Sequence, residues 1–243
     1  MDKPLVVGPD QMPDWLEKKR RVFGEIEKQV NHSLEGSGKG LTLDQLQAVV
    51  EHRNPFAPIL AGDYSGLVAE WQKFYDDLKI TANYANLVIP AKPKGRDRLL
   101  VIPQGPTIQS AYDKCATLFQ CWKYASGSLD EAIPTNDRDP KNGAYAIWVR
   151  NRVEADKELK NLSANDLARK QIKGITVLER LIYELKYFKE TGKHLDIENV
   201  TLCSGSRCAD GDVPCVDWSV GELRVRWAIL GNAHPDLRSR VAV

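Results

Sequence analysis

The sequence predicts an α+β protein, with N-terminal helices preceding a domain of mixed helices and strands. Three observations carry that prediction. Apolar residues recur at helical spacing through most of the first eighty positions. Short apolar runs bounded by breakers begin at Leu99. Leu223, Val225 and Trp227 alternate with Arg224 and Arg226, the period of a strand with one buried and one open face.

In chain order, Pro13 suits a first helical position, and Trp15, Leu16, Phe23, Ile26 and Val30 continue one stripe. After a Gly/Ser break at 36–40, Thr42 and Gln45 form a capping box ahead of Leu46, Val49 and Val50. A third helix is expected over 65–78, with Leu67, Val68, Trp71, Phe74 and Leu78 facing inward. The Pro/Gly segment 90–95 divides the chain into a helical region, 1–95, and a second domain, 96–243.

Within that domain, 99–103 reads as a strand, 107–124 as a helix, 126–143 as a long surface loop and 144–149 as a strand. The clearest helix covers 176–190, where Thr176 and Glu179 make a capping box and Gly192 is the stop. Its stripe is Leu178, Leu181, Ile182, Leu185 and Phe188. Residues 213–218 form a second β run, 219–222 a hairpin turn, and 240–243 a closing strand.

Composition excludes several classes. With 34 Lys+Arg against 33 Asp+Glu, the charge of +1 gives no general attraction to nucleic acid or anionic lipid, so neither is an expected partner. No apolar run approaches the ~20 residues of a membrane helix, and no basic-then-apolar leader opens the sequence. Five cysteines are odd in number and too sparse for a secreted disulfide scaffold. A cytoplasmic protein without a membrane span is expected.

Candidate chemical motifs fail on spacing. At 36–40 a glycine follows Lys39 where a phosphate-binding loop needs Ser or Thr, and Ser33 stands at the first glycine position. Cys203, Cys208 and Cys215 lack the paired spacing of structural zinc sites. His32, His52, His194 and His234 sit in no nucleophile signature, and His194 reads as a cation at a helix end. No catalytic residue, metal or cofactor is expected.

The last 41 residues carry the strongest signal. Lys, Glu, Gln and Met account for 43 of residues 1–202, whereas 203–243 contain Glu222 alone of these types, together with five arginines. Strand composition explains part of that deficit. A second explanation is positions drawn from codons ending in C or T, which encode none of Lys, Glu, Gln, Met and Trp. Cys208, Ala209, Asp212, Cys215, Asp217, Ser219, Val220, Arg224, Arg226, Ala228, Ile229, Leu230, Asn232, Ala233, His234 and Asp236 all obey that rule and are chemically unrelated. Gly205, Ser206, Arg207, Asp210, Gly211, Val213, Pro214, Val216, Trp218, Gly221, Leu223, Val225, Trp227, Leu237, Arg238, Ser239 and Arg240 stand between them as a scaffold.

These scaffold residues, with Leu202-Cys203-Ser204-Gly205-Ser206-Arg207, Asp210-Gly211, Gly221-Glu222-Leu223 and Leu237-Arg238-Ser239-Arg240, resemble the variable region of proteins diversified by diversity-generating retroelements. The likeness is strongest to variable proteins of small-genome archaea and bacteria. The bacterial Gly-Gly-Ser-Trp opening reads Ser204-Gly205-Ser206-Arg207 here, and the Gly-Phe-Arg ending reads Leu237-Arg238-Ser239-Arg240. The resemblance implies a C-type lectin fold of the formylglycine-generating-enzyme type over about 96–243, with variable positions within 204–240. It further implies a strand near 99–102 paired with 240–243 between two helices, and a non-catalytic ligand-binding surface at the sixteen positions, its target a protein. Formylglycine-generating enzymes, which use copper and C-terminal cysteines, are the alternative of the same fold. An adaptor built on the N-terminal helices is a third reading.

Overall fold

The computed structural model describes residues 64–243, the strand at Ile59–Leu60, and Arg21, Phe23, Gly24, Glu25, Glu27 and Lys28. The chain forms two compact units, Met1–Ala57 and Pro58–Val243. In the first, the six isolated positions are helical. The rest of the helix expected over 15–32, the 36–40 break and the Thr42–Gln45 capping box lie outside the described residues.

In the second unit a four-stranded sheet has the order β1 (Ile59–Leu60), β2 (Val88–Ile89), β6 (Tyr145–Val149), β3 (Arg98–Ile102). β3 runs antiparallel to β6, pairing Leu100 with Ile147, while β1, β2 and β6 are parallel. Helix α1 (Ser65–Asp77) packs Val68, Trp71, Phe74 and Tyr75 into the core that holds Leu99–Ile102. Trp71 Nε1 donates to Leu99 O at 3.2 Å and Tyr75 Oη to Val101 O at 2.8 Å. The division between compact units therefore falls after Ala57, and the 90–95 segment is a connection inside the second unit. Leu67, expected to face inward, is exposed.

The 107–124 stretch is a helix and a strand. α2 (Ile108–Ala116) is capped by Thr107, and the chain then extends into β4 (Cys121–Lys123). The expected surface loop at 126–143 holds α3 (Leu129–Ala132) and β5 (Thr135–Asn136), with Leu129 and Ile133 fully buried. Leu129 N is satisfied by Gln109 Oε1 and Ile133 N by Leu129 O, so this buried backbone meets its hydrogen-bonding requirement locally.

A short helix, α4 (Ala164–Arg169), precedes α5 (Val177–Thr191). α5 follows the sequence closely. Thr176 accepts from Glu179 N while Glu179 reaches back to Thr176 N, and Gly192 ends the helix at φ 68°. Its polar stripe is buried as well as its apolar one: Glu179, Arg180 and Glu184 have no exposed surface. α5 lies between the two sheets, so no side of Val177–Leu185 reaches water.

The second sheet has the order β11 (Leu237–Arg238), β7 (Val200–Leu202), β9 (Val213–Ser219), β10 (Glu222–Ala228), β4. β9 and β10 form the expected hairpin, with Leu223 opposite Trp218 and Val225 opposite Val216. β4 joins β10 in parallel, and a separate pair joins β5 to β8 (Ser206–Arg207). Val220 and Gly221 both have positive φ, 51° and 81°, the backbone of a two-residue turn that favours Asn-Gly. A β-branched residue is strained there. Val220→Asn is expected to raise the unfolding free energy by up to about 1 kcal/mol, read from a denaturant titration.

The closing segment differs from the expected pairing. Residues 240–243 do not pair with β3, whose one strand partner is β6; the last residue bonds to β6 instead. Val241 bridges Gly174, and Trp148 N donates to Val243 O at 2.6 Å. Arg240 is buried and reaches the Arg152 and Val153 carbonyls and Asp196.

Candidate functional surface

The faces of the second sheet are set by the register of β9 and β10. One face carries Val216, Leu223 and Val225 into the main core. The other carries Val213, Cys215, Asp217 and Ser219 from β9 with Arg224, Arg226 and Ala228 from β10. That second face was expected to be open along its length. It is half covered: Leu159, Ala164 and Leu167 close over Val213, Cys215, Ala228, Leu202 and Leu237 in a satellite core. Four expected surface positions are buried for this and related reasons. Cys215 and Ala228 lie in the satellite core. Cys208 packs into the main core with its Sγ 3.3 Å from Tyr124 Oη. Asp217 is only 3% exposed and lies beneath Arg226.

The other twelve reach the surface in two groups. At the hairpin end are Ser219, Val220, Arg224 and Arg226. The Arg224 guanidinium stacks over the Trp122 ring at 4.6 Å, with Glu222 3.6 Å from its Nε. Both Nε and Nη2 of Arg226 donate to Asp217 Oδ1, at 3.0 and 2.6 Å. At the other end, Ile229, Leu230, Asn232, Ala233, His234 and Asp236 form an exposed loop. It is fastened where Leu230 O accepts from Asn165 N and Asp236 O from Val200 N. Ala209 and Asp212 lie on the turn before β9, near that loop because Val213 pairs with Ala228. Arg224 and Ala228 are about 13 Å apart along β10, so the expected surface is two patches separated by the satellite core.

Two surface aromatics were missed. Trp122 sits on β4, which the sequence reading had absorbed into a helix, and is 39% exposed. Trp227, assigned to the scaffold by alternation, is 51% exposed because the core ends at Val225 on that face. Of the remaining scaffold, Gly205, Ser206, Val213, Pro214, Val216, Leu223, Val225, Leu237, Ser239 and Arg240 are buried, Arg207, Gly211, Trp218 and Arg238 are half-buried, and Asp210 and Gly221 are exposed.

All five thiols are free. Burial pushes those of Cys121 and Cys215 up to about 12 and also raises Cys115, Cys203 and Cys208. A nucleophilic or metal-binding cysteine needs the opposite shift. Among the described residues no three His, Cys, Asp or Glu side chains converge on a metal-sized site. These thiols make the protein alkali-sensitive. A folded-state value above the unfolded one, about 8.5, gives stability that is complete below that pH and lost as pH rises toward the folded values. The urea midpoint should hold below about pH 8.5 and fall between about 9 and 12, followed by tryptophan fluorescence. A Cys121→Ser/Cys215→Ala variant should fall less steeply, and an identical slope would contradict the assignment.

Taken together, the described residues define a mixed α/β protein of small sheets and short helices, with two exposed patches flanking one hairpin. No helix among them is long and apolar enough to cross a membrane. No protein-family model, curated protein or solved structure matches the chain.

Proposed function

We propose that this chain is a non-catalytic ligand-binding protein, its C-terminal surface diversified by a retroelement on a C-type lectin-like scaffold, and that its target is a protein in the cytoplasm. The observation that carries the reading is a segregation. Twelve of the sixteen chemically unrelated positions reach the surface, whereas ten of the seventeen intervening scaffold residues are buried. A surface can change without unfolding a domain when the residues holding the core stay fixed. The Arg and Trp side chains at the hairpin end, and the apolar Ile229 and Leu230 beside His234 and Asp236, are the residue types that anchor protein interfaces.

Sequencing the genomic locus tests the proposal. A nearby non-coding copy of the codons for 204–240, carrying adenine where the gene has other bases, beside a reverse transcriptase, is the expected result. Mismatches spread over all bases, or no copy, would remove the reading. A second expectation concerns transplantation. Exchanging Val220, Ile229, Leu230, Asn232, His234 and Asp236 as a set should redirect binding in a pull-down. The melting temperature should move by no more than about 4 °C. Arg226 belongs outside that set, since removing it strands the buried Asp217 carboxylate.

A further inference from the structure

We infer a small-anion site on the first sheet, remote from the diversified surface, that takes a di- or oligophosphate. Pairing of Arg98 with Val149 brings the segment entering β3 beside the segment leaving β6. Between them lies a cleft of about 330 Å³ lined by Lys92, Gly95, Arg96, Asp97, Arg150, Asn151 and Arg152. That volume suits a small ligand. Four of the lining residues are cationic and one is acidic, and the Asp97 Oδ1 is already engaged by Asn151 N at 3.0 Å.

The cations differ in how far they are satisfied. Glu158 answers Arg150 at 2.5 Å and Arg152 at 3.2 Å from the rim. Among the described residues neither Lys92 nor Arg96 has a carboxylate at ion-pair distance. Lys92 Nζ rests 5.5 Å from the Trp148 ring centroid, and Arg96 Nη1 is shielded from solvent without any hydrogen-bond partner. A buried donor with no acceptor costs free energy, and an oxyanion in the cleft removes that cost. Guanidinium forks match phosphate oxygens in pairs, and several cations converging on one cleft favour a multiply charged ligand over a monoanion.

Titration calorimetry of the full chain with inorganic pyrophosphate, adenosine diphosphate and chloride separates the outcomes. Saturable one-to-one binding of pyrophosphate, weakened by added salt and absent for chloride, is expected. Equal affinity for the nucleotide means that phosphates alone are read, and tighter nucleotide binding means that the cleft also holds a nucleoside; both support the site. Arg96→Gln and, separately, the exposed Lys92→Gln should each weaken binding about tenfold with melting temperature unchanged. Absence of pyrophosphate binding, or wild-type affinity in both folded variants, would overturn the inference and leave the proposed binding function untouched.

Discussion

Asp196→Ala is expected to lower the unfolding free energy by about 3–5 kcal/mol. Asp196 has no exposed surface and accepts four hydrogen bonds: Arg180 Nε at 2.8 Å, Arg240 Nη2 at 2.6 Å, Thr201 Oγ1 at 2.5 Å and Ala155 N at 2.9 Å. Its removal leaves two buried guanidiniums facing each other, with Glu184 still answering Arg180 but nothing anionic left beside Arg240. The backbone at Asp196 has φ 55°, which alanine tolerates less well than Asp or Asn. Asp196→Asn therefore separates the two effects, because it keeps the backbone preference and removes only the charge. Guanidinium chloride unfolding of both variants is the measurement. An Asn variant near wild type, with a damaged Ala variant, would assign the cost to the backbone instead of the ion pairs.

Gly205→Ala is the second large effect, at about 1–3 kcal/mol or more. A Cβ built there lies 2.7 Å from Gly174 O, 3.1 Å from Thr176 Cγ2 and 3.2 Å from Ile175 C. The first and last are backbone atoms, and Thr176 is the cap of α5, so nothing nearby yields cheaply. Gly205 is also tied to that strip by its own N–H, which donates to Ile175 O at 3.1 Å. Gly231→Ala is the matched control, since a Cβ there meets nothing within 4 Å and should change stability by less than about 0.5 kcal/mol. Equal losses at the two positions would mean that the scaffold and display positions are not energetically distinct.

These contrasts explain which parts of the structure could be read from sequence. α5 was legible because its cap, stripe and stop are local and mutually consistent. The β9–β10 hairpin was legible because a period of two survives in five residues. β4 was not, since three residues carry too little periodicity to outweigh the helical pattern of Ala111, Tyr112 and Cys115 just before it. The coverage of Cys215 and Ala228 by α4 is a long-range contact that leaves no mark on β9 or β10 themselves. The burial of the charged residues of α5 leaves no local mark for the same reason, as Asp196 and Arg240 lie 16 and 60 positions beyond Arg180. The burial of Cys208, Cys215, Asp217 and Ala228 was not legible, because residue type marks a position without saying whether a neighbouring element will cover it.

The burial of Arg240 also has a consequence for protein synthesis. The residues that close the core, Ser239–Ala242, are translated after every exposed position of the hairpin and loop. A frameshift or premature stop introduced anywhere in 204–238 removes Arg240, and with it the partner of Asp196 and the strip that holds Gly174 and Ile175. Such a product lacks the residues that close the core and is expected to unfold, whereas an exchange at an exposed position of the hairpin or loop leaves Arg240 and its partners in place.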